Sequence, residues 1–219
     1  MNLFPKGIPV SKRLLDLLGA GLGLIVISPF LLILGGLVWL RMGWPILFHQ
    51  IRPGHREKPF SLLKFRTMTQ DRGSSGVLLA DGARLTPLGR SLRSFSLDEL
   101  PELWNVLRGE MSLVGPRPLL MAYLPRYSLE QRRRHEMLPG ITGWAQVNGR
   151  NALTWTEKFA YDLWYVDHWS LGLDLKILAL TLWKAVRREG VNPPGRDTAS
   201  EFMGSEDAPE PPTLVDPTP

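Results

Sequence analysis

Cysteine is absent from all 219 residues, which excludes a disulfide framework, thiolate zinc sites and a cysteine nucleophile. Only four histidines occur, His49, His55, His135 and His168. None stands at metal-ligand spacing from another, so each reads as structural or surface. No P-loop, G-x-S-x-G or zinc signature is present. Charge is missing altogether between Leu17 and Leu40. Bases are nearly missing beyond Gly190, where Arg196 stands alone against Asp197, Glu201, Glu206, Asp207, Glu210 and Asp216. The whole chain nevertheless carries +5, so everything ahead of this tail is markedly basic. That balance suits anionic partners: lipid headgroups, phosphates or nucleic acid. The Pro- and acid-rich stretch 190–219 is expected to be disordered.

The uncharged stretch L-L-G-A-G-L-G-L-I-V-I-S-P-F-L-L-I-L-G-G-L-V-W-L is long enough for a bilayer core, which needs about 20 apolar residues. It is too long for a signal peptide, and Trp39, Arg41 and Trp44 follow it in place of small cleavage-site residues. A proline-kinked spanning helix is one reading. The other is a re-entrant hairpin broken at Ser28-Pro29, because Pro29 cannot donate to the helix ladder and crowds the preceding turn. Each half then has about 12 residues and reaches ~18 Å, short of a ~30 Å core. Lys6, Lys12 and Arg13 precede the segment, and Arg41, Arg52, Arg56 and Lys58 follow it. Positive residues favour the cytoplasmic side, and a hairpin puts both ends there. The hairpin is therefore preferred. Gly19 and Gly23 form a small-xxx-small pair that offers another helix a close approach, although glycine is common in membrane segments.

Beyond it, Pro59–Met68 reads as a strand with Lys64 and Arg66 on one face. Asp71–Gly89 reads as a loop, Pro101–Arg108 as a helix closed by Gly109, and Met111–Val114 as a short apolar run before the rigid turn Gly115-Pro116-Arg117-Pro118. Ser128–Met137 reads as a charged helix on which Arg132-Arg133-Arg134 is a solvated face, so no nucleic-acid partner is expected. Trp155–Trp169 and Asp174–Arg188 read as helices, the second amphipathic and suited equally to a membrane interface or to the core surface. The eight tryptophans favour the interface. The densest chemistry is R-S-F-S-L-D-E-L-P-E, Arg93–Glu102. Ser96 and Glu99 match a capping box, which would make the acids mere helix furniture. Pro101 argues against this, because it prefers a first helical position, and that starts the helix near Leu100. Asp98 and Glu99 then flank a helix start that favours an ionised carboxylate and holds phosphate. An ionised Asp98 can attack phosphorus. Glu99 is a hard oxygen ligand for Mg²⁺ beside a diphosphate. Lys64, Arg66, Arg93 and Arg117 would supply the cations that phosphoryl transfer requires.

Seven ordered motifs carry a resemblance: K-R-L-L-D (Lys12–Asp16), Ser28-Pro29, K-F-R-T-M (Lys64–Met68), S-L-D-E-L-P (Ser96–Pro101), N-V-L-R-G-E-M-S-L-V-G-P-R-P (Asn105–Pro118), P-G-I-T-G-W-A-Q-V-N-G-R (Pro139–Arg150) and Asp174-Leu-Lys. From Ser11 to Arg188 the chain resembles the bacterial sugar transferase family, the monotopic phosphoglycosyl transferases, in its small form. The resemblance implies a helix-rich α+β fold: a monotopic protein with a re-entrant helix-break-helix over 1–48, a cytoplasmic catalytic domain over 49–189 with interfacial helices, and the tail. It implies transfer of a phosphosugar from a UDP-sugar to polyprenyl (undecaprenyl) phosphate at the cytoplasmic face of the bacterial inner membrane. UMP is released, and the route is ping-pong through an aspartyl intermediate. It gives Asp98 the nucleophile's role, Glu99 the Mg²⁺, Arg117 substrate phosphate, Lys64 and Arg93 support, and Arg150 the nucleotide-sugar. Asp174 is a further family acid, taken here as substrate-binding. A homodimer is left open. The competing reading is a non-catalytic, basic membrane-associated scaffold in which Asp98-Glu99 only caps a helix.

Overall fold

The computed structural model describes residues 3–149, 152–187 and 201–204. It is helix-rich α+β. A long helix, α1 (Val10–Met42), is followed by an antiparallel hairpin of β1 (Leu47–Pro53) and β2 (Pro59–Phe65), paired from Leu47↔Phe65 to Pro53↔Pro59. Two short helices come next, α2 (Asp81–Arg84), inside the stretch expected to be loop, and α3 (Pro87–Ser94), which begins at its end. α3 has strong local reasons to form. Thr86 caps it by accepting from Gly89 N, and Pro87 occupies its first turn. Then follow α4 (Glu102–Leu107), β3 (Ser112–Val114), α5 (Leu129–Arg132), β4 (Gly140–Thr142), α6 (Trp144–Asn148), α7 (Trp155–Asp167) and α8 (Leu171–Arg187). β3 and β4 pair in parallel, Ser112 opposite Gly140 and Val114 opposite Thr142. The charged helix expected over Ser128–Met137 divides into α5 and a 3-10 turn, Arg133–Glu136.

α1 differs from the expected helix-break-helix: it is helical without interruption through Ser28 and Pro29. Pro29 has no N–H for the carbonyl of Ile25, and the Ser28 hydroxyl donates to that same carbonyl at 2.9 Å. The ladder loses a bond, but its acceptor is not orphaned, a repair well suited to an apolar medium. Between Gly21 and Ile33 no side chain is buried, and Leu22, Ile25, Val26, Leu32 and Ile33 are all exposed. Both ends are docked. Ala20 packs with Phe60, Leu62, Val106 and Met111, while Leu34 and Val38 pack with Phe65 and Leu92. The glycines serve this docking. A Cβ on Gly19 would stand 2.6 Å from Leu113 Cδ1, and one on Gly23 would meet Leu103 at 3.7 Å. The small-xxx-small face thus receives the protein's own α4 and β3.

The K-R-L-L-D motif has a structural reason. Lys12, Arg13 and Asp16 are fully buried. Arg13 donates to the carbonyls of Met111 (3.1 Å) and Val106 (3.0 Å) and to Asp16 Oδ2 (3.0 Å). Asp16 Oδ1 accepts from Ser112 Oγ and Leu113 N, each at 2.8 Å. Lys12 Nζ donates to Asp174 Oδ2 at 2.7 Å, Val114 O at 2.8 Å and Tyr165 Oη at 2.9 Å. Every charge is paired and hydrogen-bonded, as burial demands. These bonds pin α1 to β3, α7 and α8.

Candidate active site

The acidic pair lies on a 3-10 turn, Leu97–Glu99, ahead of α4. α4 begins at Glu102 with Pro101 as its cap residue, slightly later than the sequence suggests. Ser96 adopts the left-handed conformation, φ 54°, and its side chain makes no capping bond. A capping serine takes extended backbone instead. Glu99 is committed elsewhere: Lys64 Nζ lies 2.6 Å and Arg117 Nη2 2.5 Å from its Oε1. The capping box is therefore not formed. A non-glycine residue held left-handed beside two buried acids marks stored local strain, a feature that clusters at functional sites.

Asp98 is buried. Burial pushes its carboxyl above the usual range, Glu99 pushes it further, and Lys64, Arg93 and Arg117 oppose them. This corrects the expectation that a helix start keeps it ionised: desolvation outweighs that help. Burial would also raise Glu99, but Arg117 and Lys64 outweigh it and hold Glu99 well below its ordinary value. Arg117 is correspondingly held protonated, chiefly by Glu99. Neighbouring carboxylates are thus driven in opposite directions, the pattern that assigns separate roles to two acids.

Lys64 and Arg117 line a cavity of about 160 Å³ together with Arg52, Glu102, Tyr123 and Trp155. Arg117 is stiffened by Pro116 and Pro118 and by Arg134 Nη2, which donates to its carbonyl at 2.8 Å. Arg134 is buried against Asp162, 2.6 Å away, so this part of the arginine run is not a solvated face. Arg93 donates through Nε to Thr67 Oγ1 at 3.0 Å. Two predicted site residues lie elsewhere. Arg66 follows the end of β2 and donates to the carbonyls of Met42, Gly43 (2.7 Å) and Trp44 (3.2 Å), closing the C-terminus of α1. Asp174 is spent on Lys12, on Tyr165 Oη (2.7 Å) and on Trp169 Nε1 (3.1 Å). Both anchor the fold. Arg150 lies outside the described residues.

Sequence reasoning missed Arg52 and Glu102. Arg52 Nε is buried and has no partner among the described residues. Burial and the neighbouring Arg117 lower its pKa to about 10. Glu102 sits 3.2 Å from Lys64 Nζ. Burial raises it to about 7, with Glu99 adding and Lys64 opposing. A raised folded value means the neutral form is favoured in the fold, so its stabilisation is lost as pH rises from the free value near 4.5 to about 7. Glu102→Gln should therefore gain on the unsubstituted protein over that window, by on the order of 1–3 kcal/mol above it. Thermal unfolding at pH 5 and pH 8 measures this, and an equal difference at both would exclude a titrating Glu102.

Among the described residues no cluster of three metal-ligating side chains exists. Mg²⁺ beside a diphosphate seldom needs one, since one or two carboxylates suffice when phosphate oxygens and water complete the shell. Lys64 and Arg117 both use Oε1 of Glu99, and its Oε2 makes no hydrogen bond among the described residues. The donor chemistry fits.

Comparison with known proteins extends this picture. The family described as bacterial sugar transferase matches residues 8–188. The chain is 55% identical over 198 residues to the uncharacterized sugar transferase EpsL of Bacillus subtilis (strain 168), covering 90% of this chain and 98% of that one. It is 44% identical over 185 residues to the UDP-glucose:undecaprenyl-phosphate glucose-1-phosphate transferase of Klebsiella pneumoniae, covering 80% of this chain and only 40% of that protein. A protein of the same description in Caulobacter vibrioides is 41% identical over 185 residues, 80% of this chain and 69% of its own length.

Proposed function

The chain belongs to the bacterial sugar transferase family, and on that premise we propose that it transfers a phosphosugar from a UDP-sugar to polyprenyl phosphate, undecaprenyl phosphate in particular, releasing UMP at the start of a surface-polysaccharide pathway. The observation that carries this is the buried carboxyl of Asp98 beside Glu99, whose Oε1 is gripped by two cations that also line the cavity.

The route is ping-pong. Asp98 attacks the sugar-bearing phosphorus, an Asp–O–P bond forms, and the bridging P–O bond breaks with its electron pair leaving on UMP. An oxygen of the polyprenyl phosphate then attacks the same phosphorus, the aspartyl bond breaks, and the carboxylate is restored beside a polyprenyl diphosphosugar. The acceptor is already an anion, so neither step needs a general base. Lys64 and Arg117 face the charge spread over the phosphoryl oxygens. Arg52 and Arg93 extend the positive field toward the donor, and the family resemblance assigns Arg150 to the nucleotide-sugar. Glu99 would hold Mg²⁺, which when bound neutralises diphosphate charge. Incubating the protein with UDP-sugars and no acceptor should give one equivalent of UMP and a phosphosugar adduct by intact mass. UMP released only when acceptor is added would replace the two steps by direct transfer.

The membrane arrangement belongs to the same proposal. Residues 1–48 enter the cytoplasmic leaflet of the inner membrane and return, 49–189 catalyse on the cytoplasmic side, and 190–219 form the tail. Support comes from the exposed apolar stretch of α1 between two docked ends and from the basic residues on both flanks. An exposed apolar run of this length needs lipid or a partner to cover it. Single cysteines introduced as Asn2→Cys and Arg56→Cys should react with a membrane-impermeant thiol reagent only from the cytoplasmic side. Labelling from opposite sides would make α1 a spanning helix.

A further inference from the structure

The tail carries a docked segment. Residues 201–204 lie beyond the family match, within the stretch whose composition suggests disorder, yet Phe202 is only 3% exposed. Its ring contacts four aromatic side chains from two segments of the chain: Tyr123 (5.7 Å between centroids), Tyr127 (5.8 Å), Trp155 (5.6 Å) and Phe159 (5.0 Å). Arg126 fastens the backbone beside it, donating to Glu201 Oε1 at 2.8 Å and to the carbonyl of Phe202. Met203, the next residue, is 77% exposed. Gly204 turns with φ +130°, a conformation that favours glycine. One side chain is inserted and its backbone is latched.

Two of the four rings, Tyr123 and Trp155, also line the cavity that holds Lys64, Arg52 and Arg117. They meet edge to face at 5.6 Å. The cavity therefore has a cationic end and an aromatic end. That division matches a nucleotide, whose phosphates seek positive charge while its base offers a flat ring to stack. Phe202 touches both of these rings and sits where their mutual angle is set. Tyr123 lies on a 3-10 turn, Met121–Arg126, and Trp155 opens α7. Among the described residues no strand pairing joins the two elements, which meet through their rings, Tyr123 on Trp155 and Tyr127 on Phe159. Without Phe202 the two rings keep their direct contact but lose the neighbour they share, and the aromatic end is less firmly held.

We propose that Glu201–Gly204 is an intramolecular brace, with Phe202 a positioning residue that holds Tyr123 and Trp155 in place for the base of the donor nucleotide. The inference rests on the transferase reading above and adds a determinant of donor affinity outside the family-matched stretch. A brace for the bound nucleotide affects ground-state and transition-state binding alike, so it should change KM and leave kcat nearly alone.

The test uses the full chain in detergent or nanodiscs. Phe202→Ala should raise the donor KM about tenfold and weaken UMP binding in calorimetry equally, with kcat changed less than twofold. Phe202→Leu keeps apolar bulk and should stay within about threefold of the unsubstituted protein. Arg126→Ala should fall between them. Hydroxyl-radical footprinting reads the docking without turnover. Phe202 should be protected relative to Phe95, which is 51% exposed, and should lose that protection in Arg126→Ala. Unchanged KM and UMP affinity in Phe202→Ala overturn the brace even where Phe202 is protected, as does a Phe202 that oxidises as fast as Phe95. Should Phe202→Ala fail to fold, unchanged affinity in Arg126→Ala with Phe202 exposed overturns it equally. A protein that protects Phe202 but neither binds UMP nor releases it from any UDP-sugar fails the transferase reading itself, and the donor role of the brace with it.

Discussion

Asp98→Asn should abolish UMP release, by at least about a thousandfold or roughly 4 kcal/mol in the barrier, while leaving the fold and its membrane association intact. Asparagine has nearly the same shape and cannot form the acyl phosphate. The variant should also be no less stable. Burial and Glu99 hold the Asp98 carboxyl above its ordinary range, so its ionised form strains the native state at neutral pH, and a neutral amide relieves that strain. Lost activity with an unchanged or raised unfolding temperature separates a nucleophile from a structural acid. The elevated value has a kinetic counterpart: UMP release should fall on acidification at a pH above that of a free aspartate, as Asp98 takes up its proton. Normal turnover by Asp98→Asn would move the nucleophile elsewhere.

Asp174→Ala should have the largest effect on stability, about 3–5 kcal/mol, because it leaves the Lys12 ammonium buried without a counter-charge. Lys12 and Asp174 meet at 2.7 Å with side chains 0% and 1% exposed. Val114 O and Tyr165 Oη remain as acceptors for the ammonium, but neither bears charge. Replacing both partners, as Lys12→Met with Asp174→Leu, should recover most of the loss, since an apolar pair of similar volume avoids the desolvation that the ion pair must overcome. Thermal unfolding of the two single variants and the double variant gives the coupling directly. A double variant as unstable as the sum of the singles would show that the contact is not the source of the loss.

The acidic centre was legible because its parts are local. Asp98 and Glu99 are adjacent, Pro101 weakens the capping reading, and Arg117 is framed by two prolines. Lys64 was legible through strand alternation. Arg66 shares that alternation but lies one residue past β2, where the pattern no longer dictates direction, and the carbonyls at the end of α1 claim it. The ion pair of Asp174 was not legible because a sequence shows an acid without its burial; its partner is 162 residues away. Glu102 reads as an ordinary helix acid until its neighbours Lys64 and Glu99 are in view. Phe202 has no periodic context at all. A single aromatic among acids and prolines signals solubility by composition, and only a fold that assembles Tyr123, Tyr127, Trp155 and Phe159 gives it a place. The uninterrupted helix through Ser28-Pro29 was not legible for a different reason. The proline's cost was counted, and the neighbouring hydroxyl that offsets it was not.

The attachment of α1 at both ends has a mechanical consequence. A helix held at one end swings like a tether and lets the body it carries rise and fall. Held near Ala20 and again near Leu34, the bare stretch between them cannot change its immersion unless the whole body moves with it. On the membrane arrangement proposed above, the bilayer acts as a datum plane, and the height of Asp98 above it is a built dimension of the molecule. For the acceptor proposed above, a lipid phosphate riding at that height would meet the carboxyl by gliding sideways, and its search would take place in two dimensions.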